Sequence, residues 1–358
     1  MANVLDLRRR IRSVRNTRQI TKAMKMVSAA KLRRAQERAV SARPYSAMLA
    51  SVLESLKRRA EVIDPQTGEV RHPLLLTRPE KRILLVVVSG DKGFAGAFNT
   101  NIFKATANFI RDNDDKEIDI EAVGRKGRDL FRRRYPAAQF SEATEEQQRP
   151  VRQRANAIEV IAGQATALEK LNYDTVRELS EEIVGWYTHE EIDAAYLVYN
   201  EFKSVIQQRV VVERVLPILS LSMHEVERAE APTLEERERA AEAALSAGVS
   251  LYPHEAEAAQ QQFEDEAKRF GTAEVDYIYE QSPQEIFADV LPRYVTSQLY
   301  HATLESIAAE HAARMTAMDS ATNNASDMID SLTLTMNRVR QAAITKEIIE
   351  IVSGAAAI

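Results

Sequence analysis

The pattern of apolar positions near the C-terminus predicts one long helix that needs a partner helix. From residue 304 onward, apolar residues recur at alternating steps of four and three. This seam consists of Leu304, Ala308, His311, Met315, Met318, Thr322, Ala325, Ile329, Leu332, Met336, Val339 and Ala343. A strict seven-residue repeat is typical of a helix that supercoils around another helix. After Ala343 the repeat fails, and a second apolar stripe follows at Ile344, Ile348, Ile351 and Val352.

The N-terminal end has a similar helical pattern. Its predicted seam runs through Val4, Leu7, Ile11 and Val14 and, after a shortened step, through Thr17, Ile20, Met24 and Val27. Pro44 is expected to kink or divide this helix. Helices over residues 5–59 and 283–352 would be roughly 80 and 100 Å long at about 1.5 Å per residue.

Two interpretations of these helices are open. Each helix could find its own partner in another chain, or the two could pair with each other as an antiparallel coiled coil. The second interpretation is physically allowed, because the entropy of closing the long segment between them grows only logarithmically with its length.

Between the two helices, the pattern changes to alternating strands and helices. Strands are predicted at Arg82–Val88, Glu117–Val123, 193–200 and 205–215, and helices at 100–112, from Arg125, at 156–171 and at 173–187. This order is typical of a small Rossmann-like α/β domain with a mostly parallel sheet. The predicted fold class is therefore α/β plus a long antiparallel coiled coil in which the N- and C-terminal helices pair as a shaft.

An acidic stretch precedes the C-terminal helix. Residues 225–280 hold fifteen acidic and five basic side chains, a net charge of −10. Thr233 and Glu236 form a capping box, and Gly248 and Gly271 mark the ends of two helices, the second over about residues 253–270. We expect a helical hairpin that projects from the α/β domain near the foot of the shaft.

Four domains follow from this organisation of the chain. They are residues 1–60, an N-terminal coiled-coil helix; 61–220, the central α/β domain; 221–275, the acidic helical-hairpin insertion; and 276–358, the C-terminal coiled-coil helix.

The N-terminal helix is strongly basic, although the whole chain has a net charge of −5. Between Arg8 and Arg38 there are twelve lysine or arginine residues and one acid, Glu37. Three interpretations are open: a solvated helix face, a surface for nucleic acid, and a surface for an acidic protein. The lack of interleaved aromatic residues and the negative total charge argue against nucleic acid.

Composition excludes several kinds of chemistry. The absence of cysteine excludes disulfides, thiolate metal sites and thiol catalysis. The six histidines have no metal-ligand spacing, and His311 is interpreted as a polar residue that sets the register of the coiled coil. Neither a catalytic residue nor a metal or cofactor is predicted. No apolar run reaches the length of a membrane span and no apolar signal core is present, which favours a mature cytoplasmic protein.

The loop SGDKGFAGAFN, residues 89–99, follows a strand and precedes a helix, so a phosphate-binding site must be considered. Its glycines match neither the G-x-x-x-x-G-K-[ST] pattern nor the G-x-G-x-x-G pattern. A structural turn is therefore favoured, and an enzyme with a nucleotide site at this loop is the alternative.

Several segments resemble the gamma subunits of F-type ATP synthases. ITKAMKMVSAAKLRRAQ (residues 20–36) and RMTAMDSATNNASDMIDSLTLTMNRVRQAAITKEIIEIVSGAAA (residues 314–357) are similar to the two signature ends of that family. SGDKGFAGAFN resembles the family's glycine-rich loop, and LPRYVTSQLYHATLESIAAEHAARM (residues 291–315) also fits. The resemblance covers both ends and the middle domain.

The resemblance implies the central rotor shaft of a bacterial ATP synthase. The terminal helices would stand inside a ring of three alpha and three beta subunits, with the epsilon subunit and the c-ring at the foot. Proton-driven rotation of the c-ring would drive ATP synthesis at beta-subunit sites, and the chain would regulate catalysis and proton flow without bond chemistry or a cofactor of its own. It would lie on the cytoplasmic face of the cell inner membrane as a peripheral protein.

The resemblance also implies four residues that contact beta subunits. Met24 and Lys25 match the segment that faces the acidic lever region of beta, and Arg340 and Gln341 match a pair that hydrogen-bonds to a beta loop. The small, uncharged tip SGAAAI would enter an apolar sleeve.

The acidic stretch departs from the family pattern, in which most bacterial members have a much shorter link. Photosynthetic members carry an insertion here, with a redox-switched cysteine pair in chloroplasts, and the lack of cysteine excludes such control in this chain. One hypothesis is that the hairpin reaches a beta subunit and restrains rotation in the direction of hydrolysis. The alternative is a solvated segment without effect on rotation.

Overall fold

Two very long helices at the ends of the chain pack along each other. The computed structural model describes residues 4–59, 72–140, 152–161, 167–218, 225–250 and 282–355. Helix α1 is Val4–Arg59 and helix α6 is Pro283–Ala355. They share the most extensive contact between any two elements of the described chain. The antiparallel intramolecular pairing is therefore confirmed, and α1 is not divided at Pro44.

The pairing keeps one antiparallel register over most of its length. The hydroxyl oxygens of Thr21 and Thr322 lie 2.8 Å apart, and those of Ser46 and Ser297 lie 3.0 Å apart. From the first pair to the second, the residue number in α1 rises by 25, from 21 to 46, and the residue number in α6 falls by 25, from 322 to 297. Continuing this register toward the N-terminus places the first helical residue, Val4, opposite Val339.

The central domain is a six-stranded sheet with the order β5-β2-β1-β6-β7-β8. The first four strands in that order are parallel, and β7 and β8 are antiparallel to their neighbours. The strands are β1 (Arg82–Val88), β2 (Glu117–Val123), β5 (Ile158–Ile161), β6 (Ala194–Phe202), β7 (Gln208–Leu216) and β8 (Glu225–Glu230). A separate two-stranded sheet pairs β3 (Gln139–Phe140) with β4 (Arg152–Gln153).

Helices cover both faces of the sheet. They are α2 (Phe98–Asp112), α3 (Arg125–Arg134), α4 (Tyr173–Thr188) and α5 (Leu234–Ser246), with short 3-10 turns at Pro73–Leu75 and Leu168–Lys170. Residues of α2, α3 and α5 join the core on one face, and α4 packs on the other. The predicted Rossmann-like α/β domain is confirmed.

Three features of the domain differ from the sequence-based predictions, of which one is the short β3–β4 pair, which was not predicted. Residues 156–171 were predicted to be helical, but Ile158–Ile161 form strand β5, which pairs with β2. Strand propensity explains the error, because the β-branched residues of this IEVI run fit a buried, pleated position well. Strand β8 was missed because its sequence EVERAE is mostly charged. Charged side chains are common on an edge strand, where they discourage pairing with other chains.

The shaft passes the sheet at the carboxyl ends of its parallel strands. Ala308 and Met315 of α6 join the core on one face, whereas Phe287 and Leu291 join the core on the other. At the crossing, the backbone N–H of Asn200 in β6 donates a hydrogen bond to Oγ of Ser306, 3.3 Å away. Ligands of open α/β sheets usually bind at this edge. In this chain, α6 occupies it.

The glycine-rich loop that follows β1 is a structural turn held by the domain itself. Oγ of Ser89 accepts a hydrogen bond from the N–H of Gly127 at 2.8 Å and donates one to the carbonyl of Val123. The carboxylate of Asp91 accepts hydrogen bonds from the N–H groups of Arg125 and Glu169, both at 3.2 Å. These bonds tie the loop to α3 and to the 3-10 turn at Leu168–Lys170.

The same loop is also docked against α6. A Cβ on Gly90 would lie 2.9 Å from the carboxyl carbon of Glu310, which is 1% exposed. Glu310 forms a buried ion pair with Arg314, and Nε of Arg314 donates to the carbonyl of Gly93 at 3.4 Å. Burial raises the pKa of Glu310 and the charge of Arg314 opposes that shift. The absence of a side chain at Gly90 therefore makes this close approach possible.

A carboxylate of the domain joins both helices of the shaft. Glu169 accepts a hydrogen bond from Nζ of Lys31 on α1 at 2.9 Å, and Nε2 of His311 on α6 lies 3.7 Å from the same oxygen. Burial is the largest cause that lowers the pKa of His311, to about 4, so the imidazole is neutral at pH 7. His311 thus lies where the shaft meets the domain, and its predicted role in setting the register of the coiled coil stays a prediction.

We expect Gly90→Ala to weaken the junction between the domain and the shaft. The added methyl group would displace the buried Glu310 carboxylate from its ion pair, and we expect the free energy of unfolding to fall by about 1–3 kcal/mol. Gly93→Ala is the matched control, because a Cβ there meets no atom within 4 Å. Denaturant unfolding of the full chain measures both variants. Equal stability of the two variants would contradict the close packing at Gly90.

Glu121 makes the stability of the domain depend on pH. This residue of β2 is 3% exposed, and burial together with the nearby charge of Glu182 raises its pKa from 4.5 to about 8. Between these two pKa values, the Glu121 carboxyl group is protonated in the folded chain and ionised in the unfolded chain. The contribution of Glu121 to the free energy of unfolding is therefore full below the unfolded pKa and is lost as the pH rises through the folded pKa.

We expect Glu121→Gln to flatten this pH dependence. Between about pH 5 and pH 9 the parent chain should lose up to a few kcal/mol of unfolding free energy that the variant keeps. Denaturant unfolding of the full chain at both pH values measures the difference. Glu181→Gln, on the exposed face of α4, is the control. Parallel pH profiles for the parent and Glu121→Gln would contradict the raised pKa.

Candidate functional site along the helical shaft

The buried face of α1 follows an uninterrupted repeat of four and three. We call it the inner seam, and it consists of Leu7, Ile11, Val14, Arg18, Thr21, Lys25, Ser28, Leu32, Ala35 and Ala39, all buried or partly buried. The predicted shortened step after Val14 is wrong. The prediction placed the apolar residues Ile20 and Val27 on the seam, whereas the observed seam continues through polar side chains.

Polar partners on α6 explain why these side chains can face inward. Nζ of Lys25 lies 2.6 Å from Oδ1 of Asp319 in an ion pair whose two side chains are each 10% exposed. One turn toward the tip, the hydroxyl groups of Thr21 and Thr322 form a hydrogen bond. Beyond it, Nη1 of Arg18 donates to Oγ of Ser326 at 3.5 Å. We call these six residues the polar layer.

Helix α5 completes the polar layer from the side. Nζ of Lys25 also donates to Oγ of Ser246, at 2.6 Å, and Arg33 donates to the carbonyl of Gly248 at 3.2 Å. The last turn of α5 contains no basic residue, so α1 supplies the cations that suit the negative end of a helix dipole. Two alanines of α5, Ala243 and Ala244, are fully buried and allow a close approach to the shaft.

The position of α5 corrects one expectation and confirms others. The capping box of Thr233 and Glu236 is present, and Gly248, with φ of +66°, follows the end of the helix as predicted. However, α5 packs on the shaft rather than projecting from the domain. The second predicted helix, at residues 253–270, lies outside the described residues.

The outward side of α1 is apolar at the level of the polar layer. Ile20 is 60% exposed and Val27 is 58% exposed, and Met24 lies partly exposed between them in sequence. We call these three residues the outer stripe. Over this stretch, the side of α1 that faces α6 is polar, and an apolar stripe lies on the outside together with exposed polar residues such as Lys22, which differs from the usual arrangement of a helix in a coiled coil.

The structure therefore separates the two N-terminal residues that the family resemblance paired. Met24 belongs to the outer stripe and is available to another subunit. Lys25 is bonded to Asp319 and Ser246 inside the shaft, so its side chain has partners within this chain. The sequence signal for this difference was the acidic residue at position 319, which directly follows the predicted seam residue Met318 of α6.

The C-terminal part of α6 extends beyond α1. All residues from Arg340 to Ser353 are exposed. In the antiparallel register, Val4 lies opposite Val339, and α1 begins at Val4, so it does not cover these residues. The residues from 341 to the end of α6 span roughly 22 Å at 1.5 Å per residue. The predicted second apolar stripe is exposed here, with Ile351 at 71% and Val352 at 63%. Arg340 and Gln341 lie at the start of this overhang.

Over the described residues, no helix is both long enough and apolar enough to span a membrane.

Comparisons with known proteins identify the family of this chain. A family model described as ATP synthase matches residues 3–358. The ATP synthase gamma chain of Solibacter usitatus is 45% identical over 358 residues, with 100% of this chain and 99% of that chain covered. The ATP synthase gamma chain of Pelotomaculum thermopropionicum is 40% identical over 360 residues, with 100% of both chains covered. A central stalk/c-ring structure of the Tetrahymena thermophila mitochondrial ATP synthase matches at 21% identity and a TM-score of 0.48, covering 84% of this chain and 99% of that chain.

On the full-length match to the family model and to relatives of 40–45% identity, this chain belongs to the ATP synthase gamma chain family.

Proposed function

We propose that this chain is the central rotor shaft of a bacterial F-type ATP synthase. The paired helices stand inside a ring of three alpha and three beta subunits, and the α/β domain rests on the c-ring beside the epsilon subunit. Proton-driven rotation of the c-ring turns the chain, and the turning shaft drives ATP synthesis at the beta subunits. The chain is peripheral to the cytoplasmic face of the cell inner membrane.

One observation carries this proposal: a single helix runs from the domain to an exposed apolar tip. Helix α6 is continuous from Pro283 to Ala355 and takes part in the core on both faces of the sheet. Torque applied to the domain therefore passes to the shaft through packed side chains and through the contacts of Glu169 and Glu310. A shaft joined to its foot in this way turns with it as one body.

The exposed apolar side chains support a surrounding sleeve of other subunits. An apolar overhang and an apolar outer stripe are unfavourable in water, and exposed patches of this kind mark interaction surfaces. We assign Met24, with its neighbours Ile20 and Val27, to a contact with the lever region of beta. We assign Arg340 and Gln341 to a contact with a beta loop, for which the planar guanidinium group offers directional hydrogen bonds.

We further propose that the chain carries out no bond chemistry itself and regulates the complex through its acidic segment. The edge of the sheet that holds ligands in other α/β domains is filled by α6, which argues against the alternative of a nucleotide-binding enzyme. The solvent-exposed face of α5 carries Glu235, Glu238 and Glu242. Because α5 turns with the shaft, these carboxylates sweep past the surrounding subunits and restrain rotation in the direction of hydrolysis.

The rotor assignment is tested by purification and by one substitution at the tip. The tagged full chain should co-purify with alpha and beta subunits in a fixed ratio that high salt preserves. In that complex, Arg340→Ala should lower coupled ATP synthesis by roughly tenfold, because a hydrogen bond to a charged group contributes about 1.5–3 kcal/mol.

The control for this substitution is Arg338→Ala, which removes an exposed arginine two residues away. Circular dichroism should show unchanged helix content in both variants, since neither side chain is buried. Equal synthesis rates for Arg340→Ala and Arg338→Ala would contradict the contact, and salt-sensitive purification with DNA or RNA in place of the subunits would contradict the rotor assignment.

The regulatory proposal predicts that neutralising the exposed face of α5 raises ATP hydrolysis. A triple variant with Glu235, Glu238 and Glu242 changed to Gln should hydrolyse ATP a few times faster in the assembled complex, since surface charges of this kind act over about 10 Å. The effect should shrink in high salt. Identical hydrolysis rates in low salt would favour the alternative of a solvated segment without effect.

A further inference from the structure

Helix α1 carries two competing stripes of residues that differ by one position. The outer stripe is Ile20, Met24 and Val27, and the inner seam at the same level is Thr21, Lys25 and Ser28. Both have the spacing of four and three that a coiled coil requires. Because adjacent residues are about 100° apart around a helix, rotating α1 by that angle would bury the apolar stripe and expose the polar one.

At the level of residues 20–28, the hydrophobic effect favours the rotated arrangement, whereas Leu7, Ile11 and Leu32 of the inner seam favour the observed one. Ile20 and Val27 are more than half exposed in the structure, whereas Thr21, Lys25 and Ser28 are at most 8% exposed. Burying an aliphatic side chain stabilises a helix pair, and burying an ammonium group without a partner is strongly unfavourable. Between Ile11 and Leu32, another interaction must therefore hold α1 in the observed orientation.

The ion pair between Lys25 and Asp319 is that interaction. Asp319 is 7% exposed on the face of α6 that contacts α1, and Lys25 is the cation bonded to it. Rotation of α1 would leave the buried carboxylate without its cation, and such an uncompensated charge is highly destabilising. It would also break the bond from Lys25 to Ser246 and the one between Thr21 and Thr322.

We propose that Lys25 and Asp319 are positioning residues that fix the rotational orientation of residues 20–28 of α1 in the shaft. The pair holds the polar residues inward and so presents Ile20, Met24 and Val27 to the outside. Ser246 of α5 adds a third contact that only the observed orientation permits. The functional consequence, a beta-facing apolar stripe, rests on the rotor function proposed above.

Disulfide trapping in the full chain tests this orientation directly, since the chain has no cysteine of its own. The inner reporter is Thr21→Cys with Thr322→Cys, whose parent hydroxyl oxygens lie 2.8 Å apart. The outer reporter is Ile20→Cys with Thr322→Cys. In the parent background, we expect the inner reporter to cross-link and the outer reporter to remain reduced.

The two reporters are then compared after the ion pair is replaced by apolar residues. In Lys25→Met with Asp319→Leu, the yield ratio of inner to outer cross-link should fall by about tenfold, because removal of the buried charges removes the main cost of rotating this segment of α1. The exchanged pair, Lys25→Asp with Asp319→Lys, should restore the parent ratio. If residues 25 and 319 only filled space, the exchanged pair would not restore the cross-link ratio.

Two results would overturn the proposal. One is a parent-like cross-link ratio in the apolar double variant with normal helix content. The other is an exchanged pair that cross-links like the apolar variant, although its helix content is normal. Coupled ATP synthesis of the same variants in the assembled complex is a separate readout. A changed cross-link ratio with unchanged synthesis would uphold the positioning role and count against the proposed contact of the outer stripe with beta.

Discussion

The antiparallel pairing of the first and last helices is the constraint on which the rest of the structure depends. It brings residues that are about three hundred positions apart into one register and closes the chain around the α/β domain. The domain is built between the two helices and uses both of them in its own core. Neither helix could be removed without opening both faces of the sheet, because Leu32 and Leu56 of α1 contribute to opposite sides.

Local pattern was sufficient to predict the two long helices, because long repeats leave little ambiguity about period, whereas their pairing with each other was one of two open interpretations. Strands β1 and β2 are continuous apolar or alternating runs bounded by turn residues, and both were predicted at their observed limits. The orientation of α1 was not predictable from α1 alone. Between residues 20 and 28, its apolar residues Ile20 and Val27 favour one face, and the position of Asp319 on a distant helix favours the other. The prediction for strand β5, with the sequence IEVI, was wrong for a similar reason, since its partner β2 lies far away in sequence.

The candidate site was likewise only partly visible in the sequence. The failure of the repeat after Ala343 predicted an overhang, which begins after Val339 in the structure, whereas Arg340 and Gln341 were assigned only by the family resemblance. Lys25 could not be assigned to the interior without knowing its partner. The place of α5 on the shaft was also hidden, because its buried face consists of alanines, which resemble ordinary helix-forming residues rather than a packing surface.

The continuity of α6 has a consequence for timing. Between Glu310, where the domain is attached, and Arg340, where the overhang begins, the helix has no interruption. In a shaft that turns, the angle between the foot and the tip is therefore set by the number of residues between these two points. Inserting or deleting one residue would turn the tip by about 100° relative to the foot and, in the proposed rotor, would shift the moment at which a surrounding subunit contacts Arg340. Inserting or deleting seven residues in both helices would nearly preserve the angle between the foot and the tip, because seven residues make almost two full turns. The length of this segment is therefore restricted to a few discrete values.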